Sequence, residues 1–120
     1  MMHKVAQGTL IPREDGKIID EHVGAVNTRS DAYSVARMVA PPGWNEPPQT
    51  AQFDELVLVV QGTLSVAADG RVEHVQANES CLVERGTTVT YSNASATEPC
   101  SYWSLCIPAF RPERTVIHHG

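Results

Sequence analysis

The feature that most constrains this chain is the regular return of turn signals, at intervals of about eight to twelve residues. Between the turns lie short segments that contain Val with Leu, Thr or Tyr, such as residues 33–40, 53–60 and 87–92. No window keeps the apolar period of about 3.6 residues that an amphipathic helix needs. The pattern therefore predicts an all-β sandwich or barrel.

Residues 43–62 are the most informative stretch of the chain. A Pro-rich turn leads there into a predicted strand that carries Glu55 and ends at Gly62. The pair Asp69-Gly70 predicts a hairpin turn. The other predicted strands are 17–19, 22–26, 33–40, 63–67, 72–75, 80–83, 87–92 and 102–107. After residue 108 the sequence permits one helical turn or a last short strand.

Length and charge exclude several classes of protein. The 120 residues suit one domain, with a barrel core at about 33–110 and N-terminal strands in 1–32. The net charge of −5 and the scattered cations leave no basic stripe for nucleic acid. No apolar run approaches the ~20 residues of a membrane span, and the N-terminus lacks a signal-peptide core, so we expect a cytoplasmic protein without a membrane partner.

The spacing of residues 43–62 resembles the cupin superfamily of small jelly-roll barrels, also called double-stranded β-helices. Gly43, Glu55 and Gly62 fall on the positions of the first cupin motif, and Gly86 and Asn93 fall on positions of the second. The resemblance covers residues 33–110. It implies a cupin-type jelly-roll β-barrel and a homodimer, with residues 1–30 available as an exchanged strand.

The departures from the cupin motifs fall on the metal ligands. Where cupins carry three histidines, this chain has Gln49, Ala51 and Val89. Imidazole suits the transition metals of the family, whereas alanine and valine donate nothing. The expectation is therefore a cavity with no metal and no other cofactor. A metal held by unusual ligands such as Glu46, Glu55 and Tyr91 is kept as an alternative.

The resemblance turns the motif residues inward, and alternate residues of a strand share a face. Glu55 and Tyr91 are the predicted catalytic residues. Burial with no cation near in sequence disfavours a charged carboxylate, so Glu55 is expected to exchange a proton near neutral pH. An ion pair of Glu55 with Arg37 or bonds to backbone amides is the structural alternative. The predicted substrate-binding residues are Gln49, Ala51, Val57, Val89, Trp103 and Cys106.

Alternation alone does not decide which face of strand 102–107 is inward. Either Tyr102, Ser104 and Cys106 face the cavity, or Trp103 and Leu105 do. His22 is a further possible cavity residue, although a lone histidine on a short strand is more often structural.

The function expected from these residues is proton transfer on a small molecule without a metal, by an isomerase, cyclase, dehydratase or lyase in which Glu55 is the acid or base. A non-catalytic cupin that binds a metabolite is the alternative, and the metal-dependent enzyme is a third. A small-molecule ligand is expected in each case.

Overall fold

The structure is a computed structural model that describes residues 1–119. These residues form eleven strands, all paired antiparallel, and one short 3-10 helix, Pro112–Arg114. The strands are β1 (Thr9–Ile11), β2 (Ile18–Val23), β3 (Ser34–Ala40), β4 (Gln49–Ala51), β5 (Asp54–Gln61), β6 (Thr63–Ala68), β7 (Arg71–Gln76), β8 (Ser80–Val83), β9 (Thr88–Asn93), β10 (Cys100–Ile107) and β11 (Thr115–Ile117). The all-β prediction is confirmed. Within residues 1–119 no helix is long and apolar enough to cross a membrane.

The strands form two sheets. One sheet has the order β1-β2-β3-β10-β5-β8 and the other has the order β11-β4-β9-β6-β7. The hydrophobic core lies between them and includes Val57, Val59, Leu64 and Tyr102, each at most 2% exposed. Some neighbours in each sheet, such as β3 and β10 or β4 and β9, come from distant parts of the chain, so both halves of the sequence contribute to both sheets.

The observed strands match most of the predicted ones and add two. β1 and β4 were missed, since three residues are too few to show a period. The predicted outer strands 17–19 and 22–26 are one strand, β2, whose pairing with β3 shifts register between Glu21 and Val23. After residue 108 both alternatives occur, because the 3-10 helix is followed by β11.

Two turns depend on glycine. Asp69 and Gly70 have φ values of 54° and 73°, which suits a tight hairpin between β6 and β7. Gly62, with φ of 83°, separates β5 from β6, and a Cβ there would lie 2.6 Å from the Pro99 carbonyl oxygen. Gly62 therefore allows both the left-handed turn and the close approach of the chain before β10.

Candidate functional site

A small cavity of about 80 Å³ opens between the two sheets. We call it the inner cavity. Its walls include apolar side chains such as Ile19, Met38 and Phe53. The polar and charged residues that line it are Arg13, Lys17, Glu21, Ser34, Glu46, Gln49, Glu55, Tyr91, Tyr102 and Ser104. A mostly apolar cavity with a few convergent polar groups is the usual form of a small-ligand site.

Glu55 lies in the wall of this cavity and is hydrogen-bonded from both sheets. The Tyr91 hydroxyl, on β9, donates to Oε1 at 2.8 Å. The Ser104 hydroxyl, on β10, donates to Oε2 at 2.5 Å. Each carboxylate oxygen therefore has one donor, and this fixes the plane of the carboxyl group without neutralising it.

Tyr91 in its neutral form is a hydrogen-bond donor to Glu55. Burial, together with the neighbouring Glu55 carboxylate, raises the pKa of Tyr91 well above the usual value of 10.0. The phenol therefore keeps its proton across the physiological range. Burial also raises the pKa of the Cys106 thiol to about 12, with a further contribution from Glu55. Cys106 is an unreactive wall residue for the same reason.

Lys17 brings a cation into the cavity that the sequence analysis missed. It is 7% exposed, and its Nζ lies 4.3 Å from the centre of the Trp44 ring and 5.3 Å from that of Tyr102. Burial lowers the pKa of Lys17, although the Glu46 and Glu55 charges oppose the shift. Lys17 is distant from Glu55 in sequence, so the absence of a cation near Glu55 in the chain did not reveal it; the turn before β2 brings Lys17 to the cavity.

The mouth of the inner cavity is a hydrogen-bonded group of three residues. Glu46 accepts from Arg13 Nη2 at 3.3 Å and from Gln49 Nε2 at 3.1 Å. Burial raises the pKa of Glu46, and the nearby Lys17 and Arg13 charges oppose that shift. Arg13 also pairs with Asp15, which accepts from the Trp44 indole at 2.8 Å.

A larger groove of about 660 Å³ lies outside this mouth. We call it the outer groove. Arg13, Glu46, Gln49 and Phe110 line both the groove and the inner cavity. A ligand too large for the inner cavity could therefore place one end beside Glu55 and the rest in the groove.

Four of the predicted site residues line the inner cavity, and four do not. Gln49, Glu55, Tyr91 and Cys106 are in its wall. Val57 and Val89 lie in the hydrophobic core, and Ala51 is half-buried opposite Thr115 of β11. Trp103 was expected in the cavity wall, and the structure corrects this: it points away and packs edge-on against His22, with ring centres 5.2 Å apart.

The structure shows which face of β10 points inward. Cys100, Tyr102, Ser104 and Cys106 are buried, whereas the residues between them are not. Pairing with β3 and β5 fixes this register. His22 and Trp103 consequently share the outer face of the sheet, and neither lines the inner cavity.

In the described part of the chain, Glu55 is held neither by an ion pair with Arg37 nor by backbone amides, which was the structural alternative for this residue. The Arg37 guanidinium lies 3.8 Å from Asp20, and the donors to the Glu55 carboxylate are two hydroxyl groups. Among residues 1–119 Glu55 has no hydrogen bond from a backbone amide. The carboxylate is positioned by side chains that themselves line the cavity.

The donors present do not fit the metal of the cupin family. Gln49, Ala51 and Val89 stand at the histidine positions, and only Glu55 remains of the usual four ligands. Within residues 1–119, no three His, Cys, Asp or Glu side chains are grouped closely enough to hold a metal ion. In the alternative set, the Tyr91 hydroxyl donates a hydrogen bond to Glu55, and its raised pKa opposes a phenolate ligand.

Lys17 and Ser104 are two of the cavity residues that sequence reasoning did not assign to the site. Lys17 follows the predicted turn at residues 13–16 and alternates with Ile19 and Glu21 along one face, which is the signal that could have identified it. Ser104 was considered only as a member of one possible face of β10.

Comparison with known proteins agrees with the geometry. The sequence model of the cupin domain matches residues 36–108. A protein of Myxococcus xanthus named endoribonuclease YbeY is 53% identical over 110 residues, which are 92% of this chain but 37% of that protein. This chain therefore spans just over a third of that relative.

Solved structures share the fold at low identity. PAC13 from Streptomyces, solved as a variant with uridine, has a TM-score of 0.76 at 13% identity, over 99% of this chain and 90% of that chain. KdgF from Halomonas sp. has a TM-score of 0.71 at 15% identity, over 88% and 89% of the two chains. These likenesses confirm the predicted jelly-roll barrel, and with the sequence match they show that the chain belongs to the cupin domain family.

Proposed function

We propose that this protein is a small-molecule-processing cupin that moves a proton next to a carbonyl group without a metal, as an isomerase, cyclase, dehydratase or lyase does. Glu55 is the acid or base. The observation that carries the proposal is the carboxylate of Glu55 in the wall of a mostly apolar cavity, with one hydroxyl donor on each oxygen. A general base must be held within hydrogen-bond reach of its proton, and this arrangement holds Glu55 in place.

The chemistry of the cavity supports a small ligand with a carbonyl or hydroxyl group. Lys17, Tyr91 and Gln49 supply polar contacts, and the apolar residues around them exclude water. The structural neighbour PAC13 was solved with uridine, which shows that a barrel of this shape can receive a nucleoside in that protein. The outer groove gives this chain room for a ligand of similar size.

The endoribonuclease activity in the name of the Myxococcus relative is not assigned to this chain. That relative is matched over 37% of its length, so its endoribonuclease activity need not lie in the matched part. The net charge of −5 also gives this chain little attraction for an RNA backbone.

Exchange of carbon-bound protons with solvent deuterium tests the proposal directly. The protein is incubated in D₂O with pyruvate, glycolaldehyde, a uronate and a nucleoside aldehyde, and loss of the proton signals next to the carbonyl is followed by ¹H NMR. We expect the wild type to speed exchange of at least one compound, and Glu55→Gln to slow it by about 100-fold or more. Glu73→Gln, at an exposed carboxylate on β7, is the matched control.

Equal exchange by the wild type and Glu55→Gln would refute the role of Glu55. Saturable binding of a compound without any exchange would instead support the alternative of a non-catalytic, metabolite-binding cupin. A requirement for added metal ions would support the metal-dependent alternative.

We also propose that two copies of the chain pair into a homodimer, in the cytoplasm. The outer face of the six-stranded sheet carries Leu58 and Leu82, which are 44% and 59% exposed, beside Leu56 and Trp103. An exposed group of large apolar residues on one sheet face is typical of a surface that another protein covers. The exchange of N-terminal strands is not needed for this pairing, because β1 pairs with β2 of its own chain.

A further inference from the structure

Proton removal next to a carbonyl needs an electrophile that accepts the developing negative charge. The donor set at the cupin metal positions does not fit a metal ion. The hydroxyl groups of Tyr91 and Ser104 are already directed at Glu55. Arg13 and Lys17 are the cations that line the cavity. Arg13 is paired with Asp15 and Glu46, which leaves Lys17 as the candidate.

Lys17 has the environment of a reactive amine. Lys17 is only 7% exposed, and it lines the inner cavity. Within residues 1–119 its Nζ donates no hydrogen bond to the protein, and no carboxylate oxygen lies within 4.0 Å of it. Its contacts are the faces of two aromatic rings, those of Trp44 and Tyr102. A buried amine with unused bonding capacity, aimed into a cavity, points to a ligand that completes it.

The charged groups around Lys17 come from three directions. Glu46 lies at the mouth, Glu55 lies on β5, and Arg13 and Asp15 lie on the preceding turn. Burial outweighs the attraction of the carboxylates, so the pKa of Lys17 is lowered and a larger fraction of the amine is neutral than in an exposed lysine. Desolvation in an apolar pocket is a known way to activate a lysine as a nucleophile.

We propose that Lys17 is the electrophile-forming residue of this site and that it takes a small aldehyde, ketone or 2-oxo acid as an imine. The nitrogen lone pair attacks the carbonyl carbon, the oxygen takes up two protons and leaves as water, and a carbon–nitrogen double bond forms. Hydrolysis by one water molecule reverses the step, so there is no net oxidation or reduction. This inference rests on the proposed function, because the imine would acidify the neighbouring carbon-bound proton that Glu55 removes.

The composition of the chain makes the test specific, since Lys4 and Lys17 are its two lysines. Lys4 is exposed and serves as an internal control. The protein is incubated with acetaldehyde, glycolaldehyde or pyruvate, the imine is reduced with cyanoborohydride, and the labelled peptides are identified by mass spectrometry. We expect saturable labelling of Lys17, faster than that of Lys4 at neutral pH by about tenfold for each unit by which its pKa is lowered.

Three variants sharpen the result. Lys17→Met removes the buried adduct and leaves the labelling of Lys4, whereas Lys4→Arg leaves the labelling of Lys17. Glu55→Gln keeps labelling of Lys17 but loses deuterium exchange. Because the wild type alone compares the two lysines, a poorly folded Lys17→Met would not weaken the test.

Labelling of Lys17 no faster than Lys4, with all three compounds and in folded protein, would overturn the imine. If deuterium exchange persisted in that case, the proposed function would stand without the imine. If Lys17 were labelled but no exchange occurred, the imine would stand and the proton-transfer function would fail.

Discussion

At the scale of single residues, the site consists of charges that are each held by a different partner. Glu55 is held by two hydroxyl groups, Glu46 by Arg13 and Gln49, and Lys17 by aromatic rings. The two carboxylates and the amine therefore keep separate positions instead of collapsing into one ion pair. This separation leaves the amine free to meet a ligand.

Asp15 shows how these charges also stabilise the fold. Burial alone would raise the pKa of Asp15, but hydrogen bonds from Arg13, the Trp44 indole and the Lys17 backbone amide, with the Arg13 charge, lower it to about 2. The folded pKa is thus below that of an unfolded Asp, about 3.9. The resulting stability is complete above about pH 4 and is lost as the pH falls towards about 2.

We therefore expect Asp15→Asn to reduce the free energy of unfolding at neutral pH and to differ less from the wild type near about pH 2. Urea unfolding followed by tryptophan fluorescence at both pH values measures the two differences. Asp69→Asn, at an exposed turn, is the control and should change little at either pH. If the difference in unfolding free energy between Asp15→Asn and the wild type stayed constant with pH, the ionised Asp15 carboxylate would not be the source of the stability.

Residue types predicted part of the site and missed part of it. Gln49, Glu55, Tyr91 and Cys106 were assigned from motif positions and strand alternation, and they line the inner cavity. Lys17 was missed although it alternates with Ile19 and Glu21, because the face of this segment that turns inward is fixed only when β2 pairs with β3. Trp103 was misplaced because both faces of β10 carry apolar residues, so alternation did not distinguish them.

At the scale of elements, the turns at both ends of residues 43–62 have the same backbone form but different surroundings. Gly43 and Gly62 have φ values of 71° and 83°. A Cβ at Gly43 meets nothing within 4 Å, whereas one at Gly62 lies 2.6 Å from the Pro99 carbonyl oxygen. The cupin spacing places a glycine at both positions, but only Gly62 is required by a close backbone contact.

This difference predicts unequal costs for the same substitution. Gly43→Ala should cost about 1–2 kcal/mol, the usual penalty of a left-handed conformation with a Cβ. Gly62→Ala should cost clearly more, because the Pro99 segment must also move. Denaturant unfolding of the two variants beside the wild type gives the comparison, and equal losses would show that the contact with Pro99 relaxes freely.

The sequence was most informative for the existence of the longer strands, such as β3, β5 and β10, which have seven or eight residues each. β1 and β4 have three residues each, and their extended form comes from pairing with β2 and β9. The order of strands within each sheet depends on contacts between distant segments. Those contacts were predicted only through the resemblance to a family of known fold.

At the scale of the whole molecule, the two sheets have different outer faces. Leu82 on β8 and Val72 on β7 are both 59% exposed, but Leu82 lies beside Leu56 on the larger apolar face. We expect a homodimer, with a mass in solution of about twice the 13.1 kDa of the chain, through that face.

Substitution with lysine at these two positions tests the pairing. Leu82→Lys should shift the mass measured by light scattering towards one chain, because it places a charge in the apolar face. Val72→Lys is the matched control, with equal exposure on the other sheet, and should leave the mass unchanged. A wild type with the mass of a single chain would remove the homodimer from the proposal.

The sequence model of the cupin domain matches residues 36–108, yet Arg13, Asp15 and Lys17 all lie before that region. The residues that the cupin model matches and the cations that line the cavity therefore lie in separate stretches of the chain. Relatives with the same core but another N-terminal segment would present the same carboxylate and phenol to different cations. In such a lineage, substrate preference would change with the segment that also forms β1 and β2, while residues 36–108 were inherited.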